Sequence, residues 1–214
     1  MGRLVEALAG EYGFDVAGVV DQAEAGTPDI WPAADVAIDF SYPEAVPENL
    51  PRLAARGLNV VIGTTGWGAH EAPLRELADR AGIGVVASPN FAIGVNLFTA
   101  LVERAAELWR DQPAFGAWLH ELHHAAKRDA PSGTALALHA AMTARGYDRA
   151  VHVSSTRAGS IPGTHTIGFD AQGETITLTH SARDRSIFAR GALQAAAWLE
   201  GRRGWFSMRD VLGL

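Results

Sequence analysis

The sequence predicts an α/β chain in which βαβ units build a parallel sheet and a later α+β segment builds a mixed or antiparallel one. Three observations predict it. Short apolar runs alternate with helical periodicity as far as Ser88, the pattern of parallel strands joined by crossover helices. After an amphipathic stretch at 96–110 the texture changes to alternating, β-branched segments, which suit a sheet with one solvated face. The 214 residues are 48% hydrophobic and 20% charged, the balance of an ordinary folded protein, long enough for one large domain or two small ones.

The elements follow in order. Leu4, Ala7, Leu8 and Tyr12 mark an opening helix closed by Gly13. Residues 14–21 read as a buried parallel strand ending at Asp21. An apolar strand at 36–41 precedes a helix over 45–56 that stops at Gly57. The strand that begins at Asn59 runs into a turn of Gly63, Thr64, Thr65 and Gly66. A helix over 71–81, a strand at 84–88 and a turn of Pro89, Asn90 and Phe91 repeat the pattern. Later segments at 118–122, 150–155, 164–169 and 174–180 read as strands, with 170–173 as a hairpin loop between the last two. A helix over 187–199, Gly201 and an amphipathic tail through 208–212 complete the chain. There is no internal repeat.

Composition excludes several classes of function. A net charge of -6 without a Lys/Arg cluster argues against a nucleic-acid partner, which needs a basic face. The absence of cysteine excludes disulfides, thiolate chemistry and Cys-containing zinc sites. No apolar run approaches a membrane span and no basic leader precedes one, so a cytoplasmic protein is expected.

Three turns follow predicted strands, and open α/β sheets bind ligands at such positions. Gly63 to Gly66 lets backbone and hydroxyls approach a ligand, although an ordinary βα turn has the same composition. Asp21 holds the strand-end position from which a dinucleotide fold binds the adenosine ribose; a helix cap or solvated residue is the plainer alternative. Ser88, Pro89, Asn90 and Phe91 form the third turn, with Phe91 suited to pack on a flat ring. Together they suggest a nucleotide cleft.

The segment 121–135 is more specific. Asp129, Pro131 and Ser132 supply a stop and cap before an apolar helix, so Gly133 and Thr134 expose backbone N–H groups at its positive end, a seat for carboxylate or phosphate. His123, His124 and Lys127, the only lysine of the chain, lie just before it. Histidine titrates near neutral pH, and a lysine near cations or partly buried is lowered into a proton-donating range. Proton donation beside an anion is the predicted chemistry, against the plainer reading of surface histidines before an ordinary capped helix. No metal is predicted: adjacent histidines on a strand face opposite ways, and no His-x-x-x-His pattern is present. His152, His165 and His180 read as strand residues, with a contribution of Gly163, Thr164 and His165 to the site from a neighbouring strand as the alternative, and Arg183 and Arg185 as cleft cations or a solvated face.

These residues resemble a known family, the dihydrodipicolinate (4-hydroxy-tetrahydrodipicolinate) reductases of bacterial and plant lysine and diaminopimelate synthesis. The matching pieces are Ile38-Asp39-Phe40-Ser41, Gly63-Thr64-Thr65-Gly66, Ser88-Pro89-Asn90-Phe91 with Gly94-Val95-Asn96, the His123-His124-x-x-Lys127-x-Asp129-x-Pro131-Ser132-Gly133-Thr134-Ala135 signature, Pro162-Gly163-Thr164-His165, Arg185 with Phe188-Ala189-x-Gly191-Ala192, and Met208-Arg209-Asp210-Val211-Leu212. They run in the family's order over nearly the whole chain. The resemblance implies a Rossmann-like dinucleotide-binding domain at 1–94 and 186–214, and an α+β substrate-binding and tetramerisation domain with a mixed sheet at 95–185. It implies NAD(P)H-dependent reduction of 4-hydroxy-tetrahydrodipicolinate by a homotetramer built through the strands around 150–180. His123 and Lys127 are then proton donor or relay, while His124, Gly133 and Thr134 hold substrate carboxylate. Asp21, Gly63, Thr64, Thr65, Ser88, Pro89, Asn90 and Phe91 line the cofactor. Gln22 is uncharged and no arginine follows it, so a 2′-phosphate has no evident partner and NADH is favoured slightly over NADPH.

One departure stands out. Family members begin with a strand and a Gly-x-x-Gly-x-x-Gly turn, whereas Met1-Gly2-Arg3 resembles only the end of that turn. That strand is central in a doubly wound sheet, so neighbouring strands left unpaired, a reduced pyrophosphate cradle, weak cofactor binding and low activity are expected, with a truncated or mis-started reading frame as the source. A non-catalytic ligand-binding or assembly protein is the alternative. A related dehydrogenase of another dicarboxylate or semialdehyde would lack the His-His-x-x-Lys spacing.

Overall fold

The computed structural model describes residues 1–21 and 31–214. Gln22, on which the lean to NADH rests, lies outside the described residues. The chain divides into two compact units, Met1–Ile93 with Ser186–Leu214, and Gly94–Arg185.

The first unit is built on a parallel sheet of β1 (Val36–Asp39), β2 (Asn59–Ile62), β3 (Gly84–Ala87) and β8 (Gly204–Phe206), in that spatial order. Helices α2 (Val46–Ala55) and α3 (Glu71–Ala81) make the crossovers between the first three strands. Valines and isoleucines of β2 and β3 face both ways into core, as expected of parallel strands covered on both faces. On one side Val60, Ile62 and Val85 pack with Leu50 and Leu53 of α2 and with Leu74 and Ala78 of α3. On the other, Val61 and Val86 pack with Ala192, Ala195 and Ala196 of α6 (Ser186–Trp198) and with Met208 and Val211 of α7 (Met208–Leu212). Helix α1 (Gly2–Leu8) continues as a 3-10 turn, Ala9–Tyr12, closed by left-handed Gly13.

Two corrections to the sequence reading fall here. Residues 14–21 form no strand, and Val16, Val19 and Val20 are exposed. A parallel strand persists only where a neighbour completes its backbone hydrogen bonds, and among the described residues β1 has β2 as its one strand partner. Valine content alone does not supply that ladder. Asp21 therefore sits in an irregular segment and not at a strand end. Conversely, β8 is a three-residue strand with too little pattern to be seen in sequence; it pairs with β3 and sets Trp205 edge-on to Trp67 at 6.0 Å.

The second unit holds α4 (Ile93–Trp109, from Gly94 onward), β4 (Gly116–His123), α5 (Gly133–Ala144), β5 (Val151–Arg157), β6 (Thr164–Ala171) and β7 (Glu174–Ser181). The sheet order is β5-β4-β6-β7; β4 and β5 are parallel, the other pairs antiparallel. Strict alternation buries Ala117, Leu119, Glu121 and His123 on one face of β4. That face shares a core with Phe98, Val102 and Ala106 of α4 and Leu138 and Met142 of α5. The opposite face carries Trp118, His120, Thr166, Thr177 and Thr179, with Trp118 lying so close over Gly168 that a side chain there would overlap its indole.

Gly191 of α6 shows how tightly the first unit is packed, since a Cβ there would collide with the backbone carbonyl of Phe91. Gly191→Ala is expected to lower unfolding free energy by about 1–3 kcal/mol through overpacking, read as a lower urea midpoint. Gly10→Ala, whose Cβ meets nothing within 4 Å, is the neutral control.

Candidate active site

In the first unit, the turns that follow β1 and β2 are joined through the Asp39 carboxylate. Oδ1 accepts from Ser41 N at 2.8 Å, Ser41 Oγ at 2.5 Å and Thr64 Oγ1 at 3.1 Å, and Oδ2 accepts from Asn49 Nδ2 at 3.1 Å. A cleft of about 260 Å³ lies beside them, lined by Met1, Phe40, Ser41, Pro43, Gly63, Thr64 and Thr65. Gly63 is required there because any Cβ would fall within the Phe40 ring. Gly66 has φ 92°, a left-handed geometry that glycine adopts without strain. Thr64 is buried with its hydroxyl committed to Asp39, whereas Thr65 is exposed. Asp39 was part of the family pattern but had no assigned role in sequence; what it organises depends on Thr64, 25 positions away.

The third turn is braced by its own side chains. Asn90 N donates to Ser88 Oγ at 3.3 Å, Ser88 Oγ donates to Asn90 O at 2.9 Å, and Ala92 N donates to Asn90 Oδ1 at 2.9 Å. Pro89 is exposed at its tip. Phe91 is 1% exposed, packed edge-on to Phe40 at 6.2 Å within the core. The expectation that its ring packs on a ligand is corrected: the ring supports the turn from behind, because burying so large an apolar surface outweighs leaving it available.

In the second unit the alternation of β4 sets Glu121 and His123 side by side on the buried face, and His123 Nδ1 bonds Glu121 Oε2. In-register neighbours complete the group. Arg157 of β5 pairs with His123, and His165 of β6 pairs with Glu121. Arg157 Nη2 donates to Glu121 Oε1 at 2.6 Å and to the Asp129 carbonyl at 2.6 Å. Ser132 N reaches the same Oε1 at 3.3 Å, while Ser132 Oγ lies 3.0 Å from His165 Nε2 and accepts from Ala135 N at 3.2 Å, capping α5. The rings of His123 and His165 are 5.1 Å apart and edge-on. Gly163 lies against His123; a Cβ there would come within 3.0 Å of Nε2.

Lys127 sits in the following turn, its N–H bonded to the His124 carbonyl at 3.1 Å and its Nζ to both oxygens of Asp129 at 2.8 and 2.9 Å. It is half-buried and ion-paired with an anion; of the two environments that lower a lysine, nearby cations or partial burial, Lys127 has the second. A hydrogen bond from Lys127 and others from backbone, Gly133 included, hold the Asp129 carboxyl below the usual range. His124 follows β4 and is half-buried, Gly133 is exposed and Thr134 half-exposed. His152, Arg183 and Arg185 are exposed, and His180 lies beside Phe98 at 5.9 Å.

The electrostatics of the cluster are decisive. Burial opposes ionisation of Glu121, but bonds from Arg157, Ser155 and His123 outweigh it and bring the carboxyl down to about 2. Burial lowers His123 below its ordinary value, and Lys127 and Arg157 push the same way; Glu121 pulls it back up. Burial is also the main cause that brings His165 down to about 4, so its ring is neutral at physiological pH. Ligand atoms of Glu121, His123 and His165 lie within 4.8 Å of one another, a spacing that would suit a cation, but Arg157 already neutralises the carboxylate. Glu121 and Arg157 carried no role in the sequence reading. The period-2 spacing of Glu121 and His123 on a strand was available as a signal; Arg157 had none, since only strand register brings it across.

A parallel α/β sheet with a glycine-bearing cleft at its carboxyl edge, on the same chain as a mixed sheet carrying a buried acid–base cluster, is the build of a two-domain nicotinamide-dependent oxidoreductase. Residues 1–91 match the family model described as dihydrodipicolinate reductase, N-terminus, and 94–212 that described as dihydrodipicolinate reductase, C-terminus. The chain belongs to the dihydrodipicolinate reductase family. It is 39% identical to the 4-hydroxy-tetrahydrodipicolinate reductase of Rhodopseudomonas palustris (strain TIE-1), over 97% of this chain and 84% of that protein. It is 42% identical to that of Thiobacillus denitrificans, over 92% and 78% of the two chains. Among solved structures, dipicolinate-bound dihydrodipicolinate reductase from Paenisporosarcina sp. TG-14 has the same fold, with TM-score 0.73 at 23% identity over 96% of this chain and 84% of that one. No helix among the described residues is long and apolar enough to cross a membrane.

The cluster makes stability fall with acidity. The His165 pKa is lowered on folding from 6.5 to about 4, so its contribution is complete above pH 6.5 and lost as pH falls towards 4, at up to about 1.4 kcal/mol per pH unit. Glu121, lowered from 4.5 to about 2, adds a second loss only below pH 4.5. Urea midpoints measured between pH 7 and 4 are expected to decline, and more shallowly in His165→Gln; equal slopes would refute the assignment.

Proposed function

We propose that this chain reduces 4-hydroxy-tetrahydrodipicolinate to tetrahydrodipicolinate with NADH or NADPH, in diaminopimelate and lysine biosynthesis in the cytoplasm. One observation carries the assignment of the substrate site. The Asp129 carboxylate is bound by the Lys127 ammonium and, through backbone, by Gly133 at the start of α5, so this corner of the chain already receives a carboxylate. A substrate carboxylate held by Gly133, Thr134 and His124 would use the same donors, with the helix N-terminus adding its partial positive charge.

The reaction takes one hydride and one proton into the substrate and releases its 4-hydroxyl as water. NAD(P)H, when bound, supplies the hydride. Its fit is supported by the cleft beside Gly63, Thr64 and Thr65, where the absent Cβ of Gly63 is what makes room for Phe40. Those residues, with Ser88, Pro89, Asn90 and Phe91, would hold it; Ser88 and Asn90 do so by keeping their turn rigid, and Phe91 by backbone. Asp21 keeps its ribose role as a proposal from family likeness alone. NADH is favoured slightly. The proton falls to the chain's own groups, Lys127 and His123, which are adjacent in sequence to the carboxylate seat.

The Thr-rich face of the second sheet, with Trp118 and His120, is the surface through which a homotetramer would form. Its β-branched residues, Thr166 half-exposed and Thr177 and Thr179 exposed, suit another sheet.

Turnover is measured as loss of reduced nicotinamide with freshly generated substrate. Lys127→Ala is expected to lower kcat by about 10²–10⁴-fold, the usual worth of a general acid, with a smaller change in KM. Unchanged kcat would move the proton to His123, and no turnover by the parent chain with either nucleotide would refute the reading.

A further inference from the structure

Glu121 has none of the roles above, yet it is the only buried carboxylate among the described residues. Burying a carboxylate is costly unless charge and hydrogen bonds offset the lost water. Here every offset is specific. Arg157 and Ser132 N occupy Oε1, which leaves Oε2 for His123 Nδ1. On the reading of His123 as a proton donor, we infer that Glu121 is its positioning residue: an anion fixed by Arg157 that holds the His123 Nδ1 proton, so that Nε2 alone carries and delivers the catalytic proton.

Three observations support this. His123 Nε2 has no hydrogen-bond partner among the described residues, and Gly163 is the residue against it, with no side chain to cover it. Glu121 and His123 are consecutive inward residues of one strand, so backbone pairing on both sides fixes their separation. The charges that face the imidazole are Glu121 from β4, Arg157 from β5 and Lys127 from the turn, with neutral His165 from β6. Without Glu121 the buried imidazole would keep Arg157 and the Asp129-paired Lys127 beside it and lose the one group that raises it, which disfavours its protonated form. A carboxylate that orients a histidine in this way both selects the tautomer and stabilises the imidazolium. Arg157 also binds the Asp129 carbonyl, which ties this pair to the turn that carries Lys127.

The test is a double-mutant cycle on the full chain, with kcat and KM for NADH-dependent turnover measured across pH for the parent, Glu121→Gln, His123→Gln and the double variant. Glu121→Gln is expected to lower kcat on the order of 100-fold with little change in KM. It should also move the alkaline limb, where His123 loses its proton, to lower pH. The double variant is expected to be no slower than His123→Gln alone, because Glu121 acts through that ring. A parental pH profile in Glu121→Gln, or losses that multiply in the double variant, overturns the inference while leaving the donor role of His123 intact. Parental turnover in His123→Gln overturns both. Should Glu121→Gln not fold, nitrogen NMR of the unmodified chain reports the neutral His123 tautomer directly. Protonation at Nδ1 supports the inference and protonation at Nε2 overturns it.

Discussion

A carboxylate with no access to water must be neutralised from within the protein, and the second unit is arranged around that requirement at Glu121. Its oxygens draw on β5 through Arg157, on the start of α5 through Ser132 N, and on its own strand through His123. Breaking such a pair on one side typically costs about 3–5 kcal/mol, because the remaining charge stays buried. The same contacts therefore hold the sheet to the helix N-terminus and orient the imidazole. Ser132 serves twice, as cap of α5 and as partner of His165.

The first unit meets a different constraint, close approach of backbone. Gly63 leaves room for Phe40, and Gly191 leaves room for the Phe91 carbonyl. Phe40 and Phe91 then touch edge-on behind the turns. Polar bonds from Asp39 join the turns after β1 and β2. The cleft at the carboxyl edge of this parallel sheet is thus braced by packing on one side and hydrogen bonds on the other.

Much of this was legible in sequence. Burial on both faces of β2 and β3 follows from unbroken Val/Ile runs, helix ends from Gly13 and Gly57, and the start of α5 from Ser132, because each of these depends on neighbours within a few positions. The strand expected at 14–21 failed for the opposite reason. Its valines have the propensity, but a strand also requires a partner ladder, and none of the described strands provides one. Phe91 was misread as a ligand-stacking ring because an aromatic residue in a turn looks the same in sequence whether it faces a ligand or the core.

The active-site signature itself divides along the same line. By itself, the sequence determined the chemical repertoire and its local order: two histidines and a single lysine ahead of a capped helix, glycines where backbone must come close, and family membership through their spacing. Only tertiary structure decided which of those groups act on one another. Arg157 reaches Glu121 across 36 positions and His165 joins Ser132 across 33. The register of β4 with β5 sets Arg157 beside the Glu121–His123 pair, and that of β4 with β6 sets His165 opposite Glu121, whose carboxylate also holds Ser132 N; register is a property of paired strands that no single segment encodes.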